Sequence, residues 1–411
     1  MQKNPFKEKK ILILLHPKWF DGSTYKWSNF MERNFGIVST RGGLEENIDL
    51  GICWGSGHNL YEQFLRKNIP YLLVENDVYS LRCGLNEKTY SHDREKIENA
   101  VAVIFTSEDH AEYYEGLKKK YNWHIPEYVV IHNKPLKKDM NFISREKLKG
   151  LNLVYAGGLI PSRSLDLKQG NNFYYKCHQQ TLEKFIEAGW NVHIYPTKVA
   201  RTNYFIKYKN MGCIIHEWAH GGIIYKEMSQ YTAGLQSFNK IGTPIQAFQY
   251  SQLCRPNKLY DYLASGIPTI GYQGGNGMEV YWDKWGIVID DLEPETLKAI
   301  PERLKKIKIT KKMRNDNVLD KERDKFEYII NVALKEAENK YRKKYYIAEI
   351  KNPFEKKFPI KITVENKTPS PITRINRIFL PKSISEVFSV DKTDYKQLRA
   401  HINLIIKEVE V

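Results

Sequence analysis

Short apolar runs alternating with helical stretches, twice over, constrain this chain more than any other feature. Ile11–Leu15, Asp49–Cys53, Tyr71–Val74, Val101–Phe105 and Tyr128–Ile131 are apolar or β-branched, and each is bounded by polar or turn residues. That rhythm is βαβ and predicts an α/β fold with parallel strands covered on both faces. Pro135 to Gly150 is a Lys-rich, weakly patterned connector. The alternation then restarts, with Leu151–Tyr155, Val192–Tyr195, Cys213–Ile215, Ala233–Leu235, Thr269–Ile270 and Ile287–Ile289 reading as strands. A chain of 411 residues is long for one core and sufficient for two. Two βα halves joined by one linker predict two Rossmann-like domains facing a cleft, with ligands outside the carboxyl ends of the strands.

One segment says what such a cleft would hold. In Arg255-Pro-Asn-Lys258-Leu-Tyr-Asp261-Tyr-Leu-Ala-Ser-Gly266-Ile-Pro268, Lys258 and Asp261 are three residues apart, on one face of a helix's first turn. Unpaired N–H groups and the helix dipole favour anions there. A lysine at a helix N-terminus suits a diphosphate, and a nearby carboxylate suits a ribose diol. The segment resembles the donor signature of GT-B glycosyltransferases of the family 4 type, Pro-x-Lys-x-x-Glu-Tyr-x-Ala-x-Gly-x-Pro, with Asp261 where Glu is usual. A second Glu common in that family, eight residues earlier, is Leu253 here.

The resemblance extends over residues 9–300 and implies further site residues. Gly157 and Gly158 form a glycine turn after a strand, which lets backbone approach donor phosphates, and Arg163, with Lys168 as substitute, is the base expected beside them. Asn257 belongs to the same cradle. His216 and Glu217 follow a strand where the family places residues near the nucleotide and sugar. Gly274, Gly275, Asn276 and Glu279 lie in a glycine-rich loop expected to close over the donor. On the acceptor side, the loop with Gly22, Ser23 and Thr24 and the strand end at Trp54 and Gly55 are expected to face the cleft. His58 reads as a base for an acceptor hydroxyl and Asp77 as a second catalytic candidate, with Glu75 beside it. Thr106-Ser-Glu108 and His132-Asn-Lys134 occupy further strand ends near the cleft. His216-Glu-Trp-Ala-His220 also matches a zinc-protease spacing, but it directly follows a strand and precedes two glycines, so a helix through it is not expected. No metal is expected, and no Asp-x-Asp metal motif stands in a suitable place.

The resulting domain plan has an acceptor domain over residues 1–145 and a donor domain over 150–310. Helices over 311–347 cross back, and a small β-rich module covers 348–411. The five cysteines are scattered without a Cys-x-x-Cys, which excludes a disulfide framework and a cysteine-built zinc site. No run approaches the roughly 18 apolar residues of a membrane span, so a cytoplasmic protein is expected, with a peripheral place at the inner membrane face as the alternative. Net charge is +16, which points to an anionic partner or to Lys-rich codon usage.

The expected activity is transfer of a sugar from a nucleotide-diphosphate donor, a UDP-sugar by preference, to an acceptor hydroxyl. The resemblance implies retention of configuration. A cell-surface glycan or lipid-linked saccharide is the first acceptor expected. DNA carrying a hydroxymethylated base, as for some phage enzymes, is the second. An epimerase, a sugar phosphorylase and a non-catalytic nucleic-acid-binding protein are other uses of the same fold.

Overall fold

The computed structural model describes residues 4–16, 22–41, 43–44, 47–55, 60–159, 176–197, 202–219, 221–240, 243–272, 284–341, 345–350 and 360–365. Two six-stranded parallel sheets dominate. The first contains β1 (Ile11–Leu14), β2 (Val38–Thr40), β3 (Leu50–Trp54), β4 (Tyr71–Glu75), β5 (Ala102–Phe105) and β6 (Tyr128–Val130), in the order β2-β1-β3-β4-β5-β6. The second contains β7 (Asn152–Ala156), β8 (Asn191–Tyr195), β9 (Ile214–Ile215), β10 (Ala233–Ser237), β11 (Thr269–Tyr272) and β12 (Gly286–Ile289), ordered β12-β11-β10-β7-β8-β9.

Each sheet reverses direction next to its first strand, at β1/β3 and at β7/β10. A crevice opens at such a reversal, because the flanking helices leave to opposite faces. Every residue of β1, β3, β4 and β5 is buried. That is why these strands read as continuous apolar runs. The edge strand β2 is short and exposed and carries no such run, so the sequence reading missed it.

The helices are α1 (Gly22–Phe35), α2 (Leu60–Arg66), α3 (Tyr79–Cys83), α4 (Glu87–Glu98), α5 (Glu108–Tyr121), α6 (Gln179–Glu187), α7 (Thr202–Asn210), α8 (Gly221–Met228), α9 (Ile245–Leu253), α10 (Asn257–Ser265), α11 (Pro294–Leu304), α12 (Lys311–Asp316) and α13 (Arg323–Tyr341). Several starts are chemically marked. Asn86 and Thr89 form a reciprocal capping box at α4, and the Ser107 hydroxyl accepts from His110 N–H at α5.

Two helices tie the sheets together. Helix α13 returns to the first sheet, burying Phe326, Ile329, Ile330 and Ala333 in its core. The Phe326 ring lies 5.0 Å from Trp27 and 4.8 Å from Phe30 of α1. Helix α9 follows a strand of the second sheet yet packs Ala247 and Tyr250 into the other core face of the first. Farther along, β13 (Tyr345–Ile350) and β14 (Ile360–Glu365) pair antiparallel with each other in a separate sheet. The rest of the β-rich module expected over residues 348–411 lies outside the described residues. No described helix is long and apolar enough to cross a membrane.

Candidate active site

A cleft of about 390 Å³ is lined from both sheets, where the two crevices face each other. One wall begins with α10. Pro256 precedes the helix and fixes the entry, while Leu259, Tyr260, Tyr262 and Leu263 anchor its buried side. Gly266 ends it in a left-handed turn at φ 74°, donating back to Tyr262 and Leu263 carbonyls. A Cβ is disfavoured there, which explains the Gly of the motif. Lys258 and Asp261, one turn apart, both line the cleft.

The Lys258 ammonium donates to the Tyr155 hydroxyl at 2.9 Å and lies 4.0 Å from the centre of that ring. Lys258 is partly exposed along its length, but its ammonium is closely surrounded. Desolvation, with Lys176 adding repulsion, lowers its pKa to about 7, and Asp261 only partly offsets this. Gly157 and Gly158 follow β7 directly opposite. Gly157 adopts φ 149°, and its Cα faces the Lys258 side chain. Asn257 and Lys176 complete this wall.

Asp261 is bound across the cleft. Its Oδ1 accepts from Lys26 of α1 at 2.6 Å and from the Tyr225 hydroxyl of α8 at 3.0 Å. Beside it, Arg255 reaches the first sheet's side and pairs with Glu108 at 2.7 Å, near His132 Nε2. Burial opposes ionisation of Glu108, yet His132 and Arg255 hold its carboxyl at about 2. The Tyr260 hydroxyl contacts His132 Nδ1 at 2.8 Å.

The opposite wall is built from the ends of β4, β5 and β6. Asn76 and Asp77, Thr106, and Asn133 line the cleft in that order, with His110 from α5. Asp77 is paired with Arg82 and accepts from the Tyr250 hydroxyl of α9. Behind this wall, Lys96 is fully buried between Asp93 and Glu75, at 2.8 and 2.9 Å. Burial alone would lower the Lys96 pKa, but the two carboxylates outweigh it and raise it. One ammonium neutralises only one of two carboxylates, and desolvation pushes Glu75 up to about 8. Lys96 also donates to the Asp77 carbonyl, so the hub holds the loop that carries Asn76 and Asp77.

The expected site residues divide accordingly. Lys258, Asp261, Asn257, Gly157, Gly158, Gly22, Ser23 and Asp77 all line the cleft. Gly22 and Ser23 do so as the first residues of α1, not as a loop, and Thr24 is not among the lining residues. Trp54 instead ends β3 and is buried among Trp27 and Phe30, because the last residue of this strand still points into the core. Gly55 packs on the Glu75 carboxylate, and Glu75 is the buried end of β4, behind the cleft wall and not on it.

His216 and Glu217 are also displaced from the lining. His216 stacks on Tyr195 at 4.4 Å and lies 2.9 Å from His193 Nδ1, while Glu217 is exposed. Their neighbours Trp218 and Ala219 reach the cleft instead. Residues 216–219 are not helical, so the zinc-protease spacing does not become a helical face. Among the described residues, no cluster of His, Cys, Asp or Glu could hold a metal ion. His58, Arg163, Lys168, His220, Gly274, Gly275, Asn276 and Glu279 lie outside the described residues.

The sequence reading missed Lys26, Tyr225, Lys176 and Arg255. For Lys26 a signal existed. It falls on the buried stripe of α1 with Ser23, Trp27, Phe30 and Met31, and a lysine on a buried face needs a partner.

The architecture is that of the GT-B glycosyltransferases: two parallel six-stranded sheets with flanking helices, meeting at a cleft. The glycosyltransferase AviGT4, involved in avilamycin A biosynthesis, has 11% identity and a TM-score of 0.50, with 80% of this chain and 98% of that one covered. A glycosyltransferase from Rickettsia africae gives 10% identity and a TM-score of 0.48, over 81% and 98%. The pneumococcal O-GlcNAc transferase GtfA, solved with UDP and GlcNAc, gives 14% identity and a TM-score of 0.45; this chain covers 57% of its length, with 69% of this chain matched. No family model and no curated protein sequence matches this chain.

Proposed function

We propose that the chain transfers a sugar from a nucleotide-diphosphate donor, a UDP-sugar by preference, to an acceptor hydroxyl, with retention of configuration and no essential metal. The observation that carries this reading is that Lys258, Lys176, the Gly157–Gly158 turn and the first turn of α10 line one wall of the cleft. An ammonium whose pKa is lowered to about 7 by burial and by Lys176 gains charge when an anion arrives. A diphosphate between Lys258, Lys176 and the N-terminal N–H groups of α10 supplies that anion. Negative charge grows on the diphosphate as the glycosidic bond breaks, so the same groups favour the transition state over the ground state. Asp261, held by Lys26 and Tyr225, accepts from the ribose hydroxyls in this reading. In this reading residues 150–310 bind the donor and residues 1–145 the acceptor.

A thermal-shift screen across UDP-, GDP-, ADP- and CMP-sugars tests it, since a ligand that binds only the folded state raises the melting temperature. One nucleotide class is expected to stabilise the protein and to lose that effect in Lys258→Ala. Radiolabelled sugar from that donor should then appear on an acceptor. An equal shift in Lys258→Ala would remove Lys258 from the site, and free nucleotide with an interconverted sugar would favour an epimerase.

A further inference from the structure

The cleft wall at the ends of β4, β5 and β6 has an unusual chemistry. Asn133 is 6% exposed, and its Oδ1 is buried with no hydrogen-bond partner. Asn76 Oδ1, two strands away, is in the same condition, and so is the Nδ1 of His110, which is 1% exposed. All three residues line the cleft. A buried polar atom without a partner costs about 1–3 kcal/mol, so three of them on one wall, two of them carbonyl oxygens, mark a place where a ligand completes the bonding.

The wall is electrically quiet. Asp77 is paired with Arg82, Arg255 with Glu108, and Lys96 is enclosed by Asp93 and Glu75. Desolvation lowers the His110 pKa to about 4, so its ring is neutral near pH 7. Lys258 and Lys176 bring positive character to the other wall.

The two asparagine oxygens can only accept, and they therefore need a ligand with donors. A phosphodiester backbone presents acceptors only, so in a nucleic acid just the bases and any hydroxyl they carry have donors to offer. Hydroxyl groups of a sugar ring donate. Adjacent strands are about 4.8 Å apart, so the row from β4 to β6 spans roughly 10 Å. One or two pyranose rings fit that length. We infer that this wall is a subsite for a neutral saccharide, whose hydroxyls donate to Asn76 and Asn133, and that the acceptor is of this class and not a polyanion. The word acceptor rests on the glycosyltransferase reading; the saccharide subsite does not.

Saturation-transfer NMR on the full chain, with a mixture of methyl hexopyranosides and neutral disaccharides, tests the subsite. UDP affinity is measured in parallel by calorimetry. At least one saccharide is expected to receive saturation and to bind about ten-fold more weakly in Asn133→Leu and in the half-exposed Asn76→Leu, with UDP affinity unchanged in both. Two variants guard against misfolding of either. Saccharide binding that ignores both substitutions would overturn the inference. So would absence of saccharide binding, or a short DNA duplex or phosphatidylglycerol vesicle whose binding both variants abolish. If wild type binds saccharide in an Asn133-dependent way but binds no nucleotide, the donor reading falls and the subsite stands.

Discussion

The ammonium of Lys258 lies between two costs, loss of water and the proximity of Lys176, and both push its proton off near neutral pH. A bound diphosphate reverses that balance and raises the pKa. Donor binding should therefore take up a proton above about pH 7, and affinity for a nucleotide-diphosphate sugar should fall from about pH 7 to about pH 9 by at least ten-fold. Below about pH 6 it should be flat, because Lys258 is already charged. In the free protein the linkage has its own sign. An unfolded lysine titrates near 10.4, so between about 7 and about 10 the unfolded state binds more protons and the site's contribution to stability rises with pH. Calorimetry across pH in Lys258→Met and wild type checks the binding half. A pH-independent affinity in wild type would show that the diphosphate lies elsewhere. Residues of this kind were legible as types. Lys258, Asp261 and the glycines stand out by spacing, whereas Lys176 and Tyr225 are unmarked in the sequence because nothing local distinguishes a cleft tyrosine or lysine from a surface one.

Elements were legible where burial is uniform. The strands β1, β3, β4 and β5 are buried on both faces, and uniform apolarity announces them. The edge strand β2 lacks that pressure and was invisible. Helix α13 falls within the helices expected over residues 311–347, but a helical stretch in the sequence does not say which side chains cover its face. In the structure, Phe326, Ile329, Ile330 and Ala333 complete the first core. Burying each large apolar side chain contributes about 1.5–3 kcal/mol, so losing this face removes a large share of a typical 5–15 kcal/mol of stability. A chain ending at Val318 should accordingly fail to give soluble, cooperatively unfolding protein. Ending it at Tyr341 removes β13 and β14, which pair with each other and with no strand of either large sheet, and should leave fold and donor binding intact. Expression and urea unfolding of the two truncations decide this; a folded short form would place α13 outside the core.

Across the whole molecule, a few polar contacts join the sheets at the cleft. Lys26 pairs with Asp261, Arg255 with Glu108, and the Ser107 hydroxyl donates to the Leu253 carbonyl. Lys26 is 4% exposed, so removing its charge leaves Asp261 without its cation in a poorly hydrated place. Lys26→Met should cost about 3 kcal/mol, and the double variant Lys26→Met/Asp261→Leu should recover part of that loss. Urea unfolding of both singles and the double gives the coupling; additive losses would mean that the pair does not join the two walls energetically.

By itself the sequence determined the two βα series, the strands with buried faces and the helix bearing Lys258 and Asp261. These depend on period, spacing and backbone conformation, all of which are local. Tertiary structure decided the rest. Whether Glu75 or Asp77 meets the cleft depends on how the chain turns at the end of β4: Glu75, its last residue, turns to Lys96 behind the wall, while Asp77, in the loop beyond, meets Arg82 and Tyr250. Which wall is cationic and which is neutral depends on pairings between residues as far apart as Lys26 and Asp261. Charges and hydrogen bonds act through space at a few ångströms, and only the folded chain sets those distances.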